Sequence, residues 1–228
     1  MFRSLIATSA LCIVMSILPQ TDSKAQIAAP SAEKVAGHYR FESGQILTLD
    51  AFDEKLTATS RAQTQSVLTK DANGRFVYPS GSAHITFDLD ANGMAKALTY
   101  TEAERNYSAK RIDDVALRAD SDAWQLKIKS QTPSLGCSAA LTRLIDGSRS
   151  GAPDYSKLWA APARAMRSQL PTIQPLFQKL GPTKEVKFLS VDTNGNDIFD
   201  VTFENGAVSK WRVLCLNDGH IGGVAFRM

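Results

Sequence analysis

The chain has 228 residues, 43% of them hydrophobic, and a formal net charge of +3. That hydrophobic share is typical of globular proteins and excludes an intrinsically disordered chain. So small and evenly spread a charge gives no basis for a nucleic-acid or anionic-membrane partner, and neither is expected.

Residues 1–25 read as a signal peptide. Arg3 and the amino terminus supply positive charge, residues 5–18 form an apolar run, and Pro19 ends it. Ser23-Lys24-Ala25 then places small residues where a signal peptidase cuts. The run falls short of the roughly 20 residues that span a bilayer. Cleavage after Ala25 is therefore expected, with no stable membrane anchor and a periplasmic or secreted location. Cys12 lies inside the run, away from a lipoprotein cleavage context, and leaves with the peptide. Residues 26–36 read as a flexible segment.

Cys137 and Cys215 then stand alone in an oxidising compartment, which favours a bridge between them. Cys137, Leu141, Leu144 and Ile145 share one helical face. Cys215 shares a strand face with Trp211 and Val213. Both sulfurs would point into a layer between helix and sheet, so a Cys137–Cys215 disulfide is expected; the alternative is two buried thiols that never meet. The bridge would close a loop of about 80 residues, worth roughly 3–4 kcal/mol in the chain-entropy model.

Residues 37–112 carry short alternating segments, such as Ile85-Thr86-Phe87 and Leu47-Thr48-Leu49. About eight antiparallel strands, forming a sandwich or barrel, are predicted between Tyr39 and Ile112. Asp71-Ala72-Asn73-Gly74 recurs as Asp90-Ala91-Asn92-Gly93, and each copy holds the Asn-Gly pair of a tight hairpin. Residues 113–136 read as a connector, helical over 114–129 and broken by Pro133 and Gly136. Residues 137–228 begin with helices. One is predicted over 138–146, with Gly147 near its end and Ser138 as cap or first-turn residue. A second is predicted over 158–169, with Pro162 at its start, and a short third from Pro171 to Gly181-Pro182. Four strands follow, turned at Asn205-Gly206 and Asp218-Gly219. Helices followed by a meander of strands give an α+β class, with helices on one face of an antiparallel sheet.

Ala140-Leu141-Thr142-Arg143-Leu144-Ile145-Asp146-Gly147 resembles a region of bacterial exported proteins, as do Gly151-Ala152-Pro153-Asp154-Tyr155 and Arg167-Ser168-Gln169-Leu170-Pro171. The match continues through Leu180-Gly181, Gly195-Asn196-Asp197-Ile198-Phe199-Asp200-Val201, Trp211, Asp218-Gly219 and Phe226. The resemblance is to the cone-shaped nuclear-transport-factor-like, or ketosteroid-isomerase-like, domain that follows serine hydrolases of the β-lactamase class. Upstream, Gly37-His38-Tyr39-Arg40, Ser43-Gly44-Gln45 and Ile85-Thr86-Phe87 are similar to the small β-domain that also trails those hydrolases. The resemblance implies an accessory protein, with a serine hydrolase or another envelope protein as partner. The hydrolase domain itself is missing.

Sequence patterns that carry chemistry have plainer explanations here. The Ser-x-x-Lys pair, Ser31 and Lys34, lies just after the signal and has no Lys-Thr-Gly companion. Gly136-Cys137-Ser138-Ala139-Ala140 lacks the last glycine of a nucleophile elbow. Asp88 to Gly93 begins like a calcium loop, but Thr99 stands where the bidentate glutamate belongs, so a hairpin turn is expected. Asp192, Asn194, Asn196 and Asp197 read as a polar turn. His38, His84 and His220 lack zinc-like spacing and are expected to be solvated.

A cone can be catalytic when an acid and a tyrosine enter its cavity, for which Asp154 with Tyr155, or Asp200, are the candidates. The aromatics Trp159, Phe177, Phe188, Phe199, Phe203 and Trp211 are expected in the core. Asp154, Tyr155, Trp159 and Trp211 are the candidate cavity residues. The expectation is thus a non-catalytic binding or accessory protein without cofactor or metal, holding a protein partner or a small apolar ligand in the cone. The alternatives are an isomerase or hydratase using an acid or base in the cone, and a structural homodimer formed through the second sheet.

Overall fold

The computed structural model describes residues 30–60 and 64–228. The expected signal peptide, its cleavage point and Cys12 lie outside the described residues.

The first unit is a closed antiparallel barrel of eight strands: β1 Gly37–Phe41, β2 Ile46–Phe52, β3 Lys55–Ser60, β4 Gln65–Lys70, β5 Phe76–Val77, β6 Ala83–Leu89, β7 Ala95–Glu102 and β8 Arg105–Ile112. Each strand pairs with the next, and β1 pairs with β8 to close the ring. Alternation sends Tyr39, Leu49, Leu56, Leu68, Phe76, Ile85 and Leu98 inward, where all are buried. They fill the barrel with side chains and leave a packed core.

Both ends of the barrel are stoppered. At one end sits α1, Ala32–Val35, with Ala32 and Val35 buried against the barrel core. The Tyr39 hydroxyl donates to the Val35 carbonyl at 2.7 Å. The described part of residues 26–36, expected to be flexible, is therefore ordered by burial of two small apolar residues. At the other end Trp159 packs on Phe41 and stacks on Tyr107, with ring centroids 5.5 and 4.4 Å apart.

A helix, α2 Asp114–Ser130, leaves the barrel and reaches the second unit. There, α3 Cys137–Ser150 and α4 Ala160–Leu180 pack on one face of a four-stranded antiparallel sheet. Its strands are β9 Thr183–Val191, β10 Asp197–Phe203, β11 Val208–Cys215 and β12 Ile221–Arg227, in sequential order across the sheet. The combination of helices and strands agrees with the expected α+β class.

Two expected boundaries are corrected. α3 runs past Gly147 to Ser150, because Gly147 is where the following loop crosses the helix: a Cβ there would lie 2.8 Å from Pro153 Cα. Residues 158–180 are not two helices divided at Pro171. One helix carries Pro171 and Pro175 inside it. Each proline removes one backbone hydrogen bond. Ala163, Met166, Leu170, Ile173, Phe177 and Leu180 nevertheless fall three or four residues apart and form one stripe on the core. Burial of that stripe outweighs the lost bonds.

The Cys137–Cys215 disulfide is present, joining the start of α3 to the end of β11 with Cα atoms 5.7 Å apart.

Candidate functional site

The helices cover one face of the second sheet. Part of the opposite face forms the floor of a cleft of about 740 Å³. One wall is α2, through Leu117, Ser121, Trp124 and Gln125, which share a helical face at i, i+4, i+7 and i+8. The other wall is the outside of the barrel at Ile46, Thr48, Thr59 and Ser60. The β9–β10 turn closes one end with Thr193, Asn194 and Asn196, and Arg212, Leu214, Gly223 and Ala225 face up from the floor. Small residues on β12 give the cleft its depth.

Contacts to the barrel and to the second sheet hold α2 over this floor. On the barrel side, Arg40 Nη1 donates to both Asp120 carboxylate oxygens at 3.1 Å. On the sheet side, Lys127 Nζ donates to the Gly195 carbonyl at 2.7 Å and to Ser134 Oγ at 2.8 Å. The same ammonium lies 2.9 Å from Oδ1 of Asp197, whose side chain is fully buried. Asp197 Oδ2 accepts from the Ser134 amide at 2.9 Å. The Gln131 side-chain amide pairs with both backbone groups of Val191, as a neighbouring strand would. Gly195 adopts a positive φ of 72°, and a Cβ there would overlap the Trp124 ring. The turn therefore needs glycine both for its conformation and for the approach of the indole.

The four expected cavity residues do not meet in this cleft. Trp211 is buried in the second core, stacked on Phe226 at 4.5 Å and packed against Phe177. Trp159 was expected among the second unit's aromatics but joins the barrel core. Asp154 caps a short 3-10 turn, Tyr155–Lys157. Its Oδ1 accepts from Ser156 Oγ at 2.6 Å, and hydrogen bonds to Ser156 hold its carboxyl below the usual carboxylate range. Tyr155 lies under the Arg167 guanidinium, 4.3 Å from the ring centroid. Asp200 is on the uncovered face of the sheet, paired with Lys210 at 3.0 Å. No acid and tyrosine among these converge on an internal space. Trp124, the aromatic residue of the cleft, was not among the expected site residues. The i, i+4, i+7, i+8 spacing of its helix face was the signal available.

The other motifs resolve as structure. Lys34 donates to the Asn92 carbonyl at 3.3 Å, while Ser31 precedes α1 as its N-cap residue. Asp90 Oδ1 accepts from the Asn92 and Met94 amides at 2.9 Å, and Asp192 Oδ1 does the same for Asn194 and Asn196. His38 is half-buried, with Nδ1 2.9 Å from Thr48 Oγ1, and His220 Nδ1 stands 3.1 Å from Asp218. Among the described residues, Cys137, Asp197 and Cys215 bring metal-ligand atoms within 4.8 Å of one another. Two of these atoms are the disulfide sulfurs, which have no thiolate to offer, and Lys127 engages the third residue.

A second polar cluster joins the two units. Glu102 points into the mouth of the barrel, where it accepts from the Tyr100 hydroxyl at 2.9 Å and from Arg164 of α4 at 2.8 Å. Arg105 donates to the Leu158 and Tyr155 carbonyls at 2.6 and 2.9 Å. Burial, and secondarily the Glu102 carboxylate, raises the Tyr100 phenol far above its ordinary range and Tyr78 to about 12. Every member of this cluster faces another part of the protein, so it serves as a joint between the units.

No known protein family, curated protein or solved structure matches this chain. Among the described residues, no helix is long and apolar enough to cross a membrane.

Proposed function

We propose that the protein is an exported, non-catalytic binding or accessory protein whose ligand sits in the cleft between the barrel, α2 and the uncovered face of the second sheet. The observation that carries this reading is the composition of the cleft: about 740 Å³ walled by hydroxyls, side-chain amides, one indole and one guanidinium, interspersed with the aliphatic side chains of Ile46, Leu117, Leu214 and Val224. Its size falls within the range of about 300–1,000 Å³ typical of ligand sites. Such a mixed lining holds a ligand by hydrogen bonding and stacking at its polar groups and by apolar contact between them. The interior of the second unit favours a ligand less, because Phe177, Phe199, Phe203 and Trp211 fill it. Export is supported by the charged, apolar and small-residue pattern of residues 1–25. A serine hydrolase or other envelope protein, suggested by the accessory-domain resemblance, is the partner class within this reading.

The test is a thermal-shift screen of the mature protein against polar small molecules and envelope fractions, run in parallel on Ser121→Trp, which fills the cleft with a second indole. A ligand present at about 100 times its Kd adds about 2.7 kcal/mol. Stabilisation should be seen in the wild type and be lost in Ser121→Trp. Hits that stabilise both proteins equally would place the site elsewhere. Silence across the whole screen would sink the binding reading.

A further inference from the structure

We infer that the ligand of the cleft is an acidic, extended polypeptide segment of a partner protein, an inference that rests on the proposed role of the cleft and adds its ligand class. The uncovered face of the second sheet is ordered by strand register. Ile198, Arg212 and Ala225 form one cross-strand row, and Lys187, Asp200, Lys210 and Arg227 form the next. The two rows hold four cations and one anion, and Asp200 engages only Lys210. The following row adds Glu185 opposite Thr202, so the face as a whole carries four cations and two anions, an excess of positive charge concentrated in the two rows. Among the described residues, Lys187, Arg212 and Arg227 form no ion pair, and Arg212 is the only ionic group lining the cleft.

The spacing fits an extended chain. Neighbouring strands lie about 4.8 Å apart, so the row from Lys187 to Arg227 spans about 14 Å. Carboxylates at alternate positions of an extended peptide recur every roughly 6.8 Å, and three of them span the same length. Beside the cations, Leu214 and Ala225 of the floor and Leu117 and Trp124 of α2 offer apolar contact to side chains between the acids.

The probe is a fluorescent peptide of alternating glutamate and leucine, followed by anisotropy on the mature, disulfide-bonded protein. Its controls are the glutamine–leucine counterpart, an oligothymidylate and phosphatidylglycerol vesicles. The glutamate peptide should bind at least about tenfold more tightly than the glutamine peptide, and weaken about tenfold from about 50 to about 200 mM salt. Arg212→Gln combined with Lys187→Gln, both on the exposed face, should cost about tenfold. Equal binding of the two peptides, tighter binding of oligothymidylate or vesicles, or no peptide binding would overturn the inference. Ser121→Trp separates the layers. If it blocks two peptides that bind equally well, the cleft stands and the acidic class falls. If the glutamate peptide binds it unchanged, the cleft reading falls, and this inference with it.

Discussion

The barrel and the second unit are both antiparallel meanders, yet they handle their surfaces in opposite ways. The barrel closes β1 onto β8, fills its interior and stoppers both ends with α1 and Trp159. Closure removes sheet edges altogether. The second sheet has only four strands, covers one face with α3 and α4, and leaves the other facing α2 and the barrel. The comparison separates two jobs: the closed unit provides a rigid wall, and the open one provides the floor on which a ligand can rest. It also explains where extra reinforcement falls. The disulfide and the buried Lys127–Asp197 pair both belong to the open unit.

The largest effect should therefore come from removing the disulfide. Cys137→Ser with Cys215→Ser should cost the second unit roughly 4 kcal/mol, as expected for a long loop in the chain-entropy model. Urea unfolding, followed by amide signals of the second unit and of the barrel read separately, checks this. Equal loss in both signals would show that the units unfold as one and would break the comparison.

Next comes Lys127→Met, which leaves the fully buried Asp197 carboxylate without its cation. Unpairing a buried charge costs about 3 kcal/mol or more. The companion change Asp197→Leu should recover most of that loss, since apolar replacement of a whole buried pair is often neutral. A double-mutant cycle in urea reads both. Trp124 emission should shift to the red in the single variant only, as α2 lifts from Gly195.

At alkaline pH the effect is smaller and falls on the barrel. Burial pushes the Tyr39 and Tyr78 phenols up to about 12, and Tyr100 is raised as well. Unfolded, they ionise near about 10. Between about pH 10 and 12 the unfolded chain therefore binds fewer protons than the native one, so stability falls as pH rises and is intact below about 10. Phenolate absorbance should thus appear together with barrel unfolding. Full ionisation of all tyrosines while the barrel remains folded would contradict the burial argument.

The parts legible in the sequence were those with a short-range period. Strand alternation gave the eight-strand unit and the final meander. The two Asp-Ala-Asn-Gly copies form tight turns, with Asp71 and Asp90 accepting backbone amides. The face shared by Cys137, Leu141, Leu144 and Ile145 foretold the bridge. Failures came where long-range packing decides. Pro171 reads as a breaker until the stripe across it meets the sheet. Leu158 and Trp159 are both extended, so their side chains point opposite ways, one into each core. No local pattern says which core each takes. The cleft exists only because three distant segments meet, and α2 contributes no buried residue to reveal its role.

That lack of burial makes α2 the most sensitive test of how the two units are joined. A helix without a buried face depends on its ends and on side-chain anchors. Asp113 caps it, accepting from the Ala116 amide at 2.8 Å, Asp114 sits in the first turn, and Lys127 and Lys129 lie in the last. These charges match the helix dipole at both ends. Asp113→Ala should remove about 1 kcal/mol of local stability. Exchange of amides in the first turns of α2 should then quicken about fivefold, with α3 and α4 unchanged because tertiary packing holds them. Cleft ligands should weaken by no more than the same factor, since fraying begins at the end remote from Trp124. A loss of binding much larger than the change in exchange would mean that the cleft needs the entire helix in place, and that the floor alone does not position the ligand.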